Sequence, residues 1–128
     1  MIKVNLQKQS GYPVNGRKLK KTLQDFFTSK GIVSEAEVSL AIVGAKKMLE
    51  LSQKYLKDKS KHSVLSFTPE ETKSGFVYPP DGIIHLGEII ICYPCIVDEA
   101  RKESKLIDDV VEELALHSGL HLMGIHHD

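Results

Sequence analysis

The order of hydrophobic patterns along this chain predicts an α+β domain, a four-stranded mixed β-sheet with helices packed mainly on one face. Three observations carry that expectation. Four short stretches alternate apolar with polar residues or run apolar throughout, as strands do, and four longer ones repeat apolar residues at helical spacing. They follow one another as β-α-β-α-β-β-α-α, an order that belongs to a mixed sheet rather than to a barrel or a bundle. With 128 residues, 41% of them hydrophobic, the chain is long enough for one domain with a real core.

Each element has its own justification. Ile2, Val4 and Leu6 alternate with Lys3, Asn5 and Gln7, a half-buried opening strand that Gly11-Tyr12-Pro13 closes. Asn15 is placed to cap a helix running to about Ser29, with Leu19, Leu23, Phe26 and Phe27 on its inner face and Lys30-Gly31 at its end. Val38, Leu40 and Ile42 with Ala41 and Val43 between them form a strand apolar on both faces, as an interior sheet position requires. After Gly44 a second helix runs over 45–55, with Met48, Leu49, Leu51 and Tyr55 marking its buried side. Val64-Leu65-Ser66-Phe67 is a short third strand, and 68–82, holding Pro69, Pro79 and Pro80, is a long loop of the functional or mobile kind. The fourth strand covers 83–92. Within it Gly87-Glu88 interrupts the apolar run, and a glycine there signals a bulge or a close approach by another group. Pro94 suits the first turn of a helix reaching Arg101. A last helix starts near Lys105 and carries Ile107, Val110, Val111, Leu114 and Leu116 inward.

Charge and composition narrow the function classes. The net charge is zero, yet residues 1–62 hold 13 Lys/Arg against 5 Asp/Glu and the remainder holds 4 against 12, so a basic binding face on a neutral protein is open. Arg17, Lys18, Lys20 and Lys21 line the outer face of the first helix, where a solvated surface is the plainer reading and RNA contact the sharper one. No apolar run approaches the roughly 18 residues that span a bilayer, and the N-terminus lacks the apolar block of a signal peptide, so a cytoplasmic protein without membrane association is expected. The two cysteines form Cys92-Tyr93-Pro94-Cys95. A redox role needs such a pair to open a helix after a strand, and Ile89-Ile90-Ile91 supplies the strand; buried or semi-buried thiols at that junction are the plainer expectation.

The chemistry concentrates in the last dozen residues, where four of the six histidines fall. His117 and His121 stand four apart, so on a helix their imidazoles lie one turn above another on the same face and can share one metal ion. Gly124 offers the left-handed turn that ends a helix and brings His126 or His127 back over the same ion. Three nitrogen ligands leave a position open for water, which describes a catalytic rather than a structural zinc site. Ser118 stands where the His-Glu-x-x-His metalloproteases carry their general base, which disfavours protease chemistry. Glu113, one turn before His117 on the same face, is a solvated surface carboxylate or else one that orients a ligand or accepts a proton from water.

These residues resemble the YbeY family, bacterial zinc-dependent endoribonucleases of ribosomal RNA maturation. The family signature His-Gly-x-Leu-His-Leu-x-Gly-Tyr-Asp-His is matched by His117, Leu120, His121, Leu122, Gly124 and His127. Val64-Leu65-Ser66-Phe67 and Leu86-Gly87-Glu88-Ile89 are similar to two further family blocks, so the likeness covers most of the chain from about Val38 onward. The resemblance implies that His117, His121 and His127 hold one zinc ion. It also implies that Lys57, Lys59 and Lys61 lie beside the site and hold the phosphate backbone of single-stranded RNA, ribosomal RNA or the ribosomal subunit being the partner. The sequence departs from the family at Ser118, Ile125 and His126, at Ser63 where the family has aspartate, and at Leu56 where it has an arginine linked to activity on RNA. Lys57 offers a charge there but not a bidentate phosphate fork. The further helix that the family carries beyond its last histidine is not in these 128 residues. A zinc-dependent endoribonuclease is therefore the expected function. Leu56 and the missing helix favour a rival, a catalytically impaired ribosome- or RNA-binding module stabilised by zinc, and a metallohydrolase of small molecules is a third reading.

Overall fold

The structure, a computed structural model, describes residues 2–8, 11–56, 62–72 and 82–124. Its elements follow the chain as β1 (Ile2–Lys8), α1 (Gly16–Ser29), β2 (Ala36–Val43), α2 (Ala45–Leu56), β3 (Val64–Phe67), α3 (Pro69–Thr72), β4 (Ile84–Cys92), α4 (Tyr93–Glu103) and α5 (Ile107–Leu122). The four strands form one mixed sheet in the order β1-β2-β4-β3. β1, β2 and β4 run parallel, and β3 pairs antiparallel with β4. The predicted class and sheet composition hold, the element order holds apart from the added α3, and β2 lies inside the sheet as its two apolar faces require.

Strand periodicity divides the interior into two cores. Val4, Val38, Leu40, Ile42, Ile89 and Ile91 face the side where α1, α4 and α5 lie, meeting Leu19, Leu23, Phe27, Ile96, Val110, Val111 and Ala115. Each large apolar side chain fully buried there contributes about 1.5–3 kcal/mol, which makes this face the main source of stability. Among the described residues the other face is covered mainly by α2: Met48, Leu51 and Tyr55 cover Leu65, Phe67, Ile90 and Cys92, with Cys95 of α4 packed beside them. Helices thus lie mainly on one face, as predicted.

Two details of α2 and the 68–82 stretch differ from the sequence reading. Ser52 rather than Leu49 shares the fully buried side of α2 with Met48, because the helix settles with the 48–52 ridge on the sheet and leaves Leu49 half-buried. One helical turn, α3, begins the stretch expected to be a loop. Thr68 and Glu71 form a capping box: the Thr68 N–H donates to Glu71 Oε1 at 2.9 Å, and the Glu71 N–H donates to Thr68 Oγ1 at 3.3 Å. Pro69, first residue of that turn, has no N–H to lose.

Polar contacts fix how α5 lies on α1. Asn15 Oδ1 accepts from the Lys18 N–H and caps α1 as predicted, while the Asn15 N–H donates to Asp108 in the first turn of α5. Thr22 Oγ1 donates to Glu112 at 2.8 Å, and Lys18 Nζ lies 3.5 Å from the same carboxylate. At Gly119 the lack of a side chain matters, since a Cβ would stand 2.8 Å from the Phe26 ring. Helix α5 therefore lies close on α1, and its C-terminal turns are carried across the sheet to β3.

Candidate functional site

His117 and His121 sit on the last two turns of α5, one turn apart, as their spacing predicts. Past them the helix ends at Met123, and Gly124 takes a positive φ of 77° with its N–H donating to the His121 carbonyl at 2.9 Å. The predicted stop at Gly124 is thus present. His126 and His127, the two candidates for a third ligand, lie outside the described residues, as do Lys57, Lys59 and Lys61.

The helix end has a prepared seat. Gly87 lies in a bulge where the β2–β4 register shifts, and its φ of 135° suits a residue without a side chain. A Cβ there would fall 2.2 Å from the Phe67 carbonyl oxygen and 2.8 Å from Leu122 Cδ2. Both expectations for this glycine, a bulge and a close approach, are met at one position. Leu122, the residue after His121, occupies the space that glycine leaves, so β4 positions the ligand turn of α5 directly.

The orientation of His121 comes from β3 and α3. Its Nδ1 lies 2.6 Å from Ser66 Oγ, and its Nε2 lies 3.2 Å from Glu71 Oε1. A carboxylate at that distance is favourable only when Nε2 carries a proton, so Ser66 then donates to Nδ1 or, with the ring doubly protonated, accepts from it. Glu71 is held by its own cap: the Thr68 N–H does most to lower its carboxyl below the ordinary value of 4.5, burial opposes that, and the Thr68 hydroxyl and the His121 charge add smaller contributions in the lowering direction.

This donor set fits a zinc ion. An imidazole that ligates metal through one nitrogen uses the other to hydrogen-bond a protein group, and Ser66 already holds Nδ1 while Nε2 faces the Glu71 carboxylate. A hydroxyl can donate to Nδ1 or accept from it, so Ser66 serves His121 whether Nε2 holds a proton or a metal. Among the described residues no group of three ligands is assembled; His126 and His127, the candidates for a third, lie outside them.

Glu113 is exposed and engaged elsewhere. Lys105 Nζ donates to both of its carboxylate oxygens, at 3.1 and 3.2 Å, and that hydrogen bonding raises the Lys105 ammonium above its ordinary value, aided by the Glu113 and Glu103 charges. The carboxylate that the structure places against a predicted ligand is instead Glu71. Its signal was present in the sequence as Thr68-Pro69-Glu70-Glu71, a capping-box pattern with proline at its first helical position. Ser66 gave no signal beyond its place in a strand.

Two of the departures from the family pattern can be located. Leu56, at the end of α2, is 46% exposed. Ser63 donates through its hydroxyl to the Glu99 carboxylate on α4, a contact that an aspartate would turn into like-charge repulsion.

Comparison with known proteins places this arrangement among relatives. Residues 4–128 match the family described as endoribonuclease YbeY. The chain is 34% identical over 125 residues to the endoribonuclease YbeY of Moorella thermoacetica, covering 94% of this chain and 80% of that protein. It is 32% identical over 117 residues to that of Bartonella quintana, covering 91% and 70%. The solution structure of TM1509 from Thermotoga maritima superposes with a TM-score of 0.58 at 21% identity, over 98% of this chain and 75% of that one, a likeness of fold.

Proposed function

The chain belongs to the endoribonuclease YbeY family, and we propose that it is a metal-dependent hydrolase that cuts phosphodiester bonds of single-stranded RNA during ribosomal RNA maturation in the cytoplasm. The observation that supports this most is His121, one turn from His117, with Nδ1 held by Ser66 and Nε2 turned toward a carboxylate. In this reading His117, His121 and His127 hold one zinc ion. Zinc bound there supplies Lewis acidity, lowering the pKa of water toward roughly 7 and polarising a phosphoryl oxygen. Lys57, Lys59 and Lys61 draw in and hold the phosphate backbone. Glu113 orients His117 or accepts a proton from the attacking water, for which it must first release Lys105. Glu71 is the nearer candidate for holding that proton, since its carboxylate already faces His121. The described helices are too short or too polar to cross a membrane.

One departure favours a second reading. Leu56 stands where the family has an arginine linked to activity on RNA, and an exposed leucine offers neither charge nor hydrogen bonds to a phosphate. On that account the domain binds ribosomal RNA or the ribosomal subunit through its lysines and keeps zinc for stability.

One sample separates the two. Elemental analysis should give one zinc per chain, and the same protein should cleave a single-stranded ribosomal RNA fragment. Chelation should abolish cleavage while leaving helical circular dichroism largely intact, because the apolar face of α5 is packed before its first ligand is reached. Salt-dependent RNA binding without turnover, or global unfolding on chelation, would establish the binding module instead. Changing Lys57 and Lys59 to Glu should weaken RNA binding and flatten its salt dependence.

A further inference from the structure

Cys92-Tyr93-Pro94-Cys95 has no part in the reading above, and its place in the fold is specific. Cys92 ends β4 and is the N-cap residue of α4; Cys95 lies in the first turn of that helix, with Pro94 between them. The strand-then-helix setting that a redox pair requires is therefore present. Neither cysteine is in a disulfide, and their sulfurs lie 2.8 Å apart. Cys92 is fully buried whereas Cys95 is partly exposed. The junction is firmly held: the Cys92 N–H donates to the Ser63 carbonyl at 2.9 Å, and the Tyr93 ring stacks on Tyr12 at 4.6 Å between centroids.

We propose that Cys92 and Cys95 form a thiol–disulfide exchange site that accepts oxidation from a low-molecular-weight disulfide and closes reversibly into a Cys92–Cys95 bond. Bonded sulfurs sit about 2.0 Å apart, so closure asks for a movement of less than about 1 Å from the present separation. Unequal exposure assigns the two roles. Cys95, the partly exposed member of the pair, gives up its Sγ proton and attacks one sulfur of the external disulfide; a new S–S bond forms as the other half leaves as thiolate. Cys92, likewise deprotonated, then attacks Cys95 Sγ and expels the second half. The protein loses two electrons and two protons, and the external disulfide gains them as two thiols.

The test uses oxidised and reduced glutathione at fixed ratios on the whole chain, folded and, in parallel, unfolded in guanidinium chloride, with acid quenching and mass spectrometry. The folded chain should lose about 2 Da, yield a linked Cys92–Cys95 peptide, return to the dithiol with dithiothreitol, and oxidise with an equilibrium constant at least about tenfold above that of the unfolded chain. Cys92→Ser should accumulate a glutathione adduct on Cys95, and Cys95→Ser should form none. A folded constant equal to or below the unfolded one overturns the proposal, as does a lasting adduct in the wild type without ring closure. If Cys92→Ser does not fold, the wild-type comparison and Cys95→Ser, altered at a partly exposed position, still decide it.

Discussion

The two halves of α5 share one regular backbone and one apolar core, but only the second carries a side chain, His121, whose direction is fixed by hydrogen bonds. Over its first turns Val110, Val111 and Ala115 are buried against α1, α4 and the sheet, and the polar residues between them serve the fold: Glu112 ties to Thr22 and Lys18, and Glu113 to Lys105. Over its last turns His117 is exposed and His121 half-exposed, and what holds His121 is a hydroxyl and a carboxylate. Apolar burial sets where a helix lies, but it is non-directional and leaves an imidazole free to rotate. Hydrogen bonds supply the missing direction. At His121 aim is thus separate from stability: Leu122 beside it is buried in the core, and hydrogen bonds orient the imidazole.

If that separation is real, His121→Ala should have the largest effect, and on activity alone. Cleavage should fall by more than about a thousandfold, roughly 4 kcal/mol of barrier, with zinc lost and helical circular dichroism kept. Chemical denaturation showing a comparable loss of stability would mean that His121 also carries the fold. Gly87→Ala attacks the seat of the second half, where Leu122 lies. It forces a Cβ onto the Phe67 carbonyl at a φ of 135°, so a loss of about 3 kcal/mol or more in urea unfolding is expected. Val111→Ala should cost about 2 kcal/mol through the cavity it leaves, with cleavage per folded molecule unchanged. Ser66→Ala removes aim without removing a ligand: zinc affinity should fall about 10–100-fold by competition titration, with a smaller change in unfolding free energy. Glu113→Gln is expected to do least, within about 0.5 kcal/mol in stability, because its partner Lys105 is exposed. A hundredfold drop in its turnover would instead establish Glu113 as the group that moves the proton.

The first half of α5 was legible in the sequence and the second only partly so, for the same reason. Burial leaves a periodic trace, so Val110, Val111, the strand cores and the element order could be read from spacing, as could the His117–His121 pair and the Gly124 stop. Ser66 and Glu71 come from elements 55 and 50 residues away from His121, and a contact made across the fold leaves no periodic trace. Glu71 was recoverable as the far end of a capping box, a local device whose second use depends on where α3 lands. Glu113, chosen for its helical spacing from His117, shows the opposite case: spacing set it on the right face, and Lys105, eight residues earlier, took its carboxylate.

The stacked pair Tyr12 and Tyr93 gives the molecule an optical property. The chain has no tryptophan and four tyrosines, so its near-ultraviolet signal is carried by few chromophores. Two of them lie 4.6 Å apart with rings inclined by 14°, and Tyr93 stands next to Cys92 where β4 passes into α4. Rings held in a fixed asymmetric setting give circular dichroism that free tyrosine lacks, and it is lost when tertiary packing loosens. Near-ultraviolet dichroism therefore follows this junction together with Tyr55 packed on Phe67, without a label, while far-ultraviolet dichroism follows the helices.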